Sequence, residues 1–520
     1  MGRAVMGIEK VINPSDRFGD AAAKCLHVLS TAFKNDQEVL TFLSNTIDPQ
    51  AENIMRIAHN VSKELIPTVS LKSCVLSPYW AYILKTMRKG FPNGGADDNV
   101  FLYTFLMIVD AIAGDEKYKN ESIPINNECL SDYTIYAAPS SVLSECFDSS
   151  IVNPTLLYKF DHLTILNRNR LSPMPDIRFI AMKSFQNTKE KELRIAVVPK
   201  IGSFGKYCRF KDRKQDRRFV VVYEDREEEM EQIISAVLES ILQKNPHIIV
   251  FSEYAISPFM LHCVSRYLRN IDSERKYDLA FILAGSTWLT ENNTTNNVCH
   301  MITSKGYIVD MEYKYVPFTN NALRRKMPRT ISEEDKSSTK KKENKYPLEA
   351  LDNPGKKVTF IKVPSLGYVQ IAICKDAIEP ERFIEAYSNA VHPNLLLVPA
   401  YSGLLGPFEP YLQKVRNNYH AISIVINNCA ASAADYKDTK SGFICYPPNV
   451  LTRNPCEKCN EEKEQEIKPK DKLGKTLCDT CTKNCGCCFM YKIRFYPEAE
   501  QSDQRIQVEL EHFIQPIDEN

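Results

Sequence analysis

A chain of 520 residues has room for about two to four domains at roughly 150 residues each, which excludes a single small module. Its 43% hydrophobic and 25% charged residues are those of a globular protein, which excludes a disordered, collagen-like or coiled-coil chain. Sixty-six Lys and Arg against sixty-five Asp and Glu leave a net charge of +1, so attraction to nucleic acid or an anionic membrane has to be local.

The opening MGRAVMGIEKVINPSDRFGD lacks a secretory apolar region, and Met6 occupies the position where a myristoylation signal has Ser or Thr. The expectation is a cytoplasmic protein. From Asp16 to about Gly114, apolar residues recur at helical spacing, as in Ala22, Leu26, Leu29 and Phe33. Breaks at Asp48-Pro49, Pro67 and Phe91-Pro-Asn-Gly-Gly95 divide them into about four helices. The apolar run Val100–Val109 stops at Asp110, about half the length that spans a bilayer, so a buried helix is expected and no membrane span. Residues 1–120 therefore read as a helical N-terminal domain, and the Pro-interrupted residues 121–190 as an irregular linker or subdomain.

A different rhythm begins at residue 191. The spacing predicts strands at 192–199, 246–251 and 279–285, a hairpin of 297–303 with 306–316, and strands at 358–363, 368–374, 394–398 and 421–427. Amphipathic helices are expected over 227–242, 258–270, 379–390 and 406–416. Strands alternating with helices and hairpins indicate a layered α/β architecture running from 191 to 520. Two segments interrupt it. Residues 328–347 (PRTISEEDKSSTKKKENKYP) have no apolar period and read as a solvated loop. Residues 453–488 hold a run of cysteines. The basic stretch Lys206–Arg218 (KYCRFKDRKQDRR) reads by default as a solvated face.

Three ionisable side chains stand where apolar strands end: Glu253 after Ile248–Phe251, Lys314 at the end of the hairpin, and Cys374 after Val369–Ile373. Strand ends are where α/β sheets assemble ligand sites. Each residue alone is more often inert: a buried thiol, a solvated carboxylate, a surface ammonium. Together they supply a nucleophile, a base and a cation, provided that all three meet in one pocket.

The order Glu, Lys, Cys, in Phe251-Ser-Glu-Tyr, Tyr313-Lys-Tyr-Val-Pro-Phe and Ile371-Ala-Ile-Cys-Lys-Asp, resembles the nitrilase, or carbon–nitrogen hydrolase, superfamily. The resemblance covers about residue 192 to the C-terminus. It implies an αββα sandwich that pairs into a four-layer-per-dimer assembly, so a homodimer or larger oligomer. It also implies hydrolysis of an amide, carbamoyl or nitrile C–N bond, with Glu253 as base, Lys314 as oxyanion stabiliser, Cys374 as nucleophile and the backbone N–H of Lys375 as a further oxyanion donor. The chain departs from the pattern at Lys375, where the family commonly has an aromatic residue. The family's second supporting Glu has four candidates in or beside the charged loop: Glu333, Glu334, Glu343 and Glu349. A different class stays open, a nitrilase-like sensor or defence-associated interaction protein with weak or no hydrolysis, because a helical domain of this size is not needed for hydrolysis.

Cys456-x2-Cys459 and Cys478-x2-Cys481, eighteen residues apart, have the spacing of two knuckles that close a tetrahedral S4 site for structural Zn2+. Cys485 and Cys488 form a competing second pair. The polar residues between the knuckles cannot form a core, so the metal would supply the cohesion. From Arg453 to Lys475, seven basic residues face six acidic ones, which favours a structural or protein-contacting unit over a phosphate-binding one and leaves nucleic acid open.

Overall fold

The computed structural model describes residues 133–137, 163–167, 176–181, 192–199, 208–213, 218–224, 226–271, 277–291, 294–318, 348–352, 354–355, 357–363, 366–382, 384–428, 442–446, 451–453, 488–496 and 506–512. The expected N-terminal helices, the 328–347 loop and all of the clustered cysteines except Cys488 lie outside them.

In chain order the strands are β1 (Tyr133–Ala137), β2 (Leu163–Asn167), β3 (Asp176–Ala181), β4 (Glu192–Val198), β5 (Cys208–Arg213) and β6 (Arg218–Tyr223), followed by helix α1 (Glu227–Gln243). Then come β7 (Ile248–Phe251), α2 (Pro258–Asn270), β8 (Phe281–Glu291), β9 (Thr294–Thr303), β10 (Ile308–Tyr313), β11 (Leu348–Glu349), β12 (Lys357–Val363) and β13 (Gly367–Ile371). The chain continues through α3 (Ile384–Val391), β14 (Leu395–Ala400), α4 (Glu409–Tyr419), β15 (Ile422–Asn427), β16 (Gly442–Cys445), β17 (Leu451–Arg453), β18 (Phe489–Phe495) and β19 (Ile506–His512).

Two large mixed sheets organise these elements: eight strands in the order β10-β9-β8-β7-β4-β18-β19-β17, and six in the order β16-β15-β14-β13-β12-β3. The period-two alternation of β4 shows how the eight-stranded sheet is sandwiched. Leu193, Ile195 and Val197 share an apolar cluster with Val358, Phe360 and Val369 of the six-stranded sheet. Ala196 and Val198 point the other way, into a cluster with Ile234, Leu238, Met260 and Val264 of α1 and α2. On the far side of the six-stranded sheet, Tyr387 of α3 and Leu412 and Val415 of α4 are packed into the first cluster. The layers thus run α, β, β, α.

Local chemistry accounts for the element boundaries. Ser257 caps α2, its hydroxyl accepting the Met260 N–H at 3.1 Å, and Pro258 fills the first helical position. Strand β7 is buried along its whole length, as its uninterrupted Ile-Ile-Val-Phe implies. Three expectations need correction. Residues 121–190 are not wholly irregular: β1 pairs with β2, and β3 is an edge strand parallel to β12. The strand expected to run to Cys374 ends at Ile371, and Cys374–Ala377 form a 3-10 turn. The basic stretch is not simply a solvated face, because β5 and β6 form an antiparallel hairpin and β11 adds to it in parallel. Arg209 and Lys211 are exposed, while Phe210 between them turns inward onto other rings. Among the described residues, no helix is long and apolar enough to cross a membrane.

Candidate active site

Glu253, Lys314 and Cys374 arrive from three separate strand ends and converge. Glu253 follows β7 in a tight turn, where Ser252 donates its hydroxyl to the Pro199 carbonyl at 2.6 Å and Asn428 donates to the Glu253 carbonyl at 2.9 Å. Gly285 of β8 lets the neighbouring strand approach this turn: its φ is +61°, and a Cβ there would sit 2.1 Å from the Ser252 carbonyl oxygen. Lys314 is the first residue beyond β10, and its N–H donates to the Asn297 carbonyl at 2.9 Å. Cys374 opens its 3-10 turn at φ +47°, a left-handed conformation that is costly for a residue with a Cβ.

The Lys314 ammonium lies between two carboxylates, 2.8 Å from Glu253 Oε1 and 2.8 Å from Glu349 Oε2. The Cys374 thiol donates to the Tyr401 carbonyl at 3.8 Å and feels the charges of Glu253 and Lys314. All four residues, Glu253, Lys314, Glu349 and Cys374, are only 1% exposed. A cavity of about 600 Å³ beside β6, lined by Lys211, Val221, Val222, Glu227 and Phe259 among others, touches none of them.

Burial sets the electrostatics. It pushes the Glu253 carboxyl above the usual carboxylate range, against the pull of Lys314 and with a further push from Glu349. Burial alone would lower Lys314, but the two carboxylates outweigh it and hold the ammonium well above its ordinary value. The Cys374 thiol is raised by burial and by the Glu253 charge, with Lys314 opposing. The resting arrangement is thus a neutral thiol, a carboxyl raised by burial and a fixed cation in one buried cluster.

Of the four candidate acids, Glu349 lies within the described residues and meets Lys314, while Glu333, Glu334 and Glu343 lie outside them. Glu349 also accepts the Tyr254 hydroxyl at 2.9 Å, the Asn297 amide at 2.8 Å and the Phe318 N–H at 2.8 Å. Asn297 Nδ2 spans Glu253 Oε1 and Glu349 Oε1, each at 2.8 Å. Asp376 ties the Cys374 turn to the segment after Lys314, accepting the Val316 N–H at 2.7 Å and the Tyr315 N–H at 3.1 Å. The Lys375 ammonium, expected to change the charge beside the thiolate, is paired with Glu379 at 3.0 Å. The cation acting on the sulfur is that of Lys314.

The described residues hold no group of three or more His, Cys, Asp or Glu side chains arranged to hold a metal ion. Cys456, Cys459, Cys478, Cys481 and Cys485 lie outside those residues. Cys488, the alternative ligand, is buried in the apolar cluster under α1 and α2.

No protein-family model matches the chain, and no curated protein matches it. Solved structures similar to it include Nit3 of Saccharomyces cerevisiae, a member of branch 10 of the nitrilase superfamily, at 13% identity over 49% of this chain and 83% of that one, with a TM-score of 0.32. An amidase from Nesterenkonia sp. is 10% identical over 50% of this chain and 84% of its own, with a TM-score of 0.32. The Caenorhabditis elegans NitFhit protein is 12% identical over 50% of this chain and 56% of its own, with a TM-score of 0.33.

Proposed function

We propose that the protein is a thiol-dependent hydrolase of a non-peptide C–N bond in a small amide, carbamoyl or nitrile compound. The observation that carries this reading is the buried ammonium of Lys314 held at 2.8 Å from each of two carboxylates, Glu253 and Glu349, with the buried Cys374 thiol under the influence of Glu253 and Lys314. A thiol and an ammonium sealed together with two acids cost solvation energy that a purely structural role would not require.

For an amide, Cys374 Sγ attacks the carbonyl carbon while its proton passes to Glu253. An ammonium has three N–H donors, and with two directed at Glu253 and Glu349, the third serves the developing oxyanion together with the backbone N–H of Lys375. Collapse of the tetrahedral intermediate breaks the C–N bond, and Glu253 returns its proton to the departing amine. Water then attacks the thioester, Glu253 takes its proton, and the acid leaves as the thiol is restored. Glu349 keeps Lys314 charged and in place and touches no reacting atom.

A structural Zn2+ on Cys456, Cys459, Cys478 and Cys481 belongs to the same proposal, as does self-association of the sandwich. Placement of the cysteine segment supports an insertion: β17 runs parallel to β19 and β18 antiparallel to it, so the chain leaves and re-enters this sheet at one end. Two thiolate pairs fit Zn2+ and leave no open coordination position, so the metal would hold that excursion together and take no part in hydrolysis. The test of the hydrolase reading is selective alkylation of Cys374 by iodoacetamide, mapped by mass, together with ammonia release from a panel of small amides. A Cys374 that reacts no faster than the buried Cys299 would defeat it.

A further inference from the structure

Any substrate has to reach a sulfur that is 1% exposed, so the side chains that close over it decide what enters. Two of those packed around the site, Phe210 and Val221, come from the β5–β6 hairpin, which lies between β4 and α1 in the chain. Phe210 of β5 meets Tyr401 edge-on at 5.6 Å and Tyr254 at 6.2 Å. Tyr401 supplies the carbonyl beside the thiol, and Tyr254 donates to Glu349, so the Phe210 ring is one residue removed from the reacting groups. Val221 of β6 and Trp288 of β8 belong to the same apolar cluster. Strand β5 is the edge of its three-stranded sheet, with exposed Arg209 and Lys211 on either side of Phe210, so this ring belongs to the outermost part of the roof.

Two buried polar atoms beneath the roof are unsatisfied. Trp288 Nε1 and Asn297 Oδ1 have no hydrogen-bond partner among the described residues, and Trp288 and Asn297 stand directly opposite each other on β8 and β9. A buried indole N–H ordinarily meets an acceptor, and a pocket that is mostly aromatic with a few placed polar groups is the usual form of a small-molecule site. The charge around Cys374 is also selective. Two carboxylates, Glu253 and Glu349, flank the single ammonium of Lys314, so a substrate carboxylate would meet acids and a cation already paired twice.

We infer that the region under the β5–β6 hairpin, walled by Phe210, Val221, Tyr254, Trp288 and Tyr401, receives the acyl half of the substrate. It takes an uncharged, flat acyl group with a hydrogen-bond acceptor for Trp288 Nε1–H, and it rejects one bearing a carboxylate. Phe210 is the residue that sets access and selectivity. This assignment rests on the hydrolase reading of Cys374.

The chain has two tryptophans, Trp80 and Trp288, so a Trp80→Phe background makes Trp288 the sole reporter. In that background, Cys374→Ala protein is titrated with benzamide and with succinamate while Trp288 emission is followed. Benzamide produces a saturable change and succinamate none at equal concentration. Phe210→Ala weakens benzamide binding about 10-fold through loss of its ring contacts. Phe210→Leu, which keeps an apolar side chain, falls between, and Arg209→Ala on the exposed face has no effect. No saturable change, an equal response to succinamate, or unchanged binding in both Phe210 variants overturns the pocket assignment. In parallel, iodoacetamide is applied to protein with Cys374 intact. Benzamide binding beneath the roof combined with an inert Cys374 sinks the hydrolase reading, and with it the acyl-pocket assignment. A reactive Cys374 without benzamide binding sinks the pocket alone.

Discussion

Asp376 accepts the backbone N–H of Val316 at 2.7 Å, which fastens the turn of the thiol to the segment of the ammonium. Cys374 lies two residues before one end of this link and Lys314 two residues before the other. Strands β10 and β13 belong to different sheets, so no ladder between them holds sulfur and nitrogen in register.

Removing the link therefore acts on turnover through geometry. Asp376→Ala leaves the buried Val316 amide and the half-buried Tyr315 amide without their acceptor and lets the Lys314 segment drift, with an expected fall in kcat of about 100-fold, since small misplacements cost that much. Asp376→Asn retains an oxygen in the position of Oδ1, which accepts from both Tyr315 and Val316, and it keeps most of the activity. Steady-state kinetics on the two variants decide the matter. Equal losses would show that the charge of Asp376 is needed and not its place as an acceptor.

The same residue should leave a mark on stability. Burial, opposed by the Val316 amide and by Lys314, pushes the Asp376 carboxyl up from 3.8 to about 7. A raised acid holds a proton in the folded protein that the unfolded chain has released, so its contribution is complete below about pH 4 and is lost as pH rises through about 7. Relative to Asp376→Asn, which cannot titrate, the wild-type protein should lose on the order of 4 kcal/mol between those limits and then run parallel. Denaturant unfolding of both proteins at several pH values measures the difference directly. A constant offset from pH 4 to 8 would refute the raised carboxyl.

Much of this arrangement is legible in the residues. The uninterrupted Ile248–Phe251 run and the Ser257-Pro258 cap place Glu253 between a buried strand and a helix, because burial on both faces removes any alternation and a cap has a fixed chemistry. Glu349 is harder to find. It stands on a two-residue strand directly after a charged stretch, with no periodicity to mark it, and its only local signal is the apolar Leu348, Ala350 and Leu351 around it. Phe210 is obscured by its basic neighbours, although the alternation Arg209-Phe-Lys211 is itself the pattern of a half-buried strand. Asp376 and Asn297 act through long-range contacts, and spacing along the chain does not report those.

Glu349 has an exacting environment. All four of its side-chain and backbone partners donate: the Tyr254 hydroxyl, the Asn297 amide, the Phe318 N–H and the Lys314 ammonium. A carboxylate accepts from all of them, whereas the NH2 of a glutamine must face a donor. Glu349→Gln should therefore be destabilised by about 2–4 kcal/mol in spite of its equal volume. It should also lose activity about 100-fold, because Lys314 then leans on Glu253 alone and makes it a weaker base. Thermal unfolding and kinetics on this variant test both effects, and a fully active Glu349→Gln enzyme would remove Glu349 from the site.

The cysteine segment makes a separate prediction. Strands β17 and β18 flank β19 in one sheet, so the ends of the excursion between Arg453 and Phe489 are two strand spacings apart, about 10 Å. A polar segment closed over so short a base gains little from burial, and two thiolate pairs bridged by Zn2+ would supply the missing cohesion. Protein purified without chelator should carry about one zinc per chain by elemental analysis, as a four-thiolate site requires. Cys456→Ser and Cys481→Ser should lose the metal. Cys488→Ser should keep it yet unfold more readily, because Cys488 is packed against the apolar cluster of α1 and α2 and a hydroxyl there is poorly solvated. Zinc lost from Cys488→Ser but retained in Cys481→Ser would transfer the site to the Cys485–Cys488 pair.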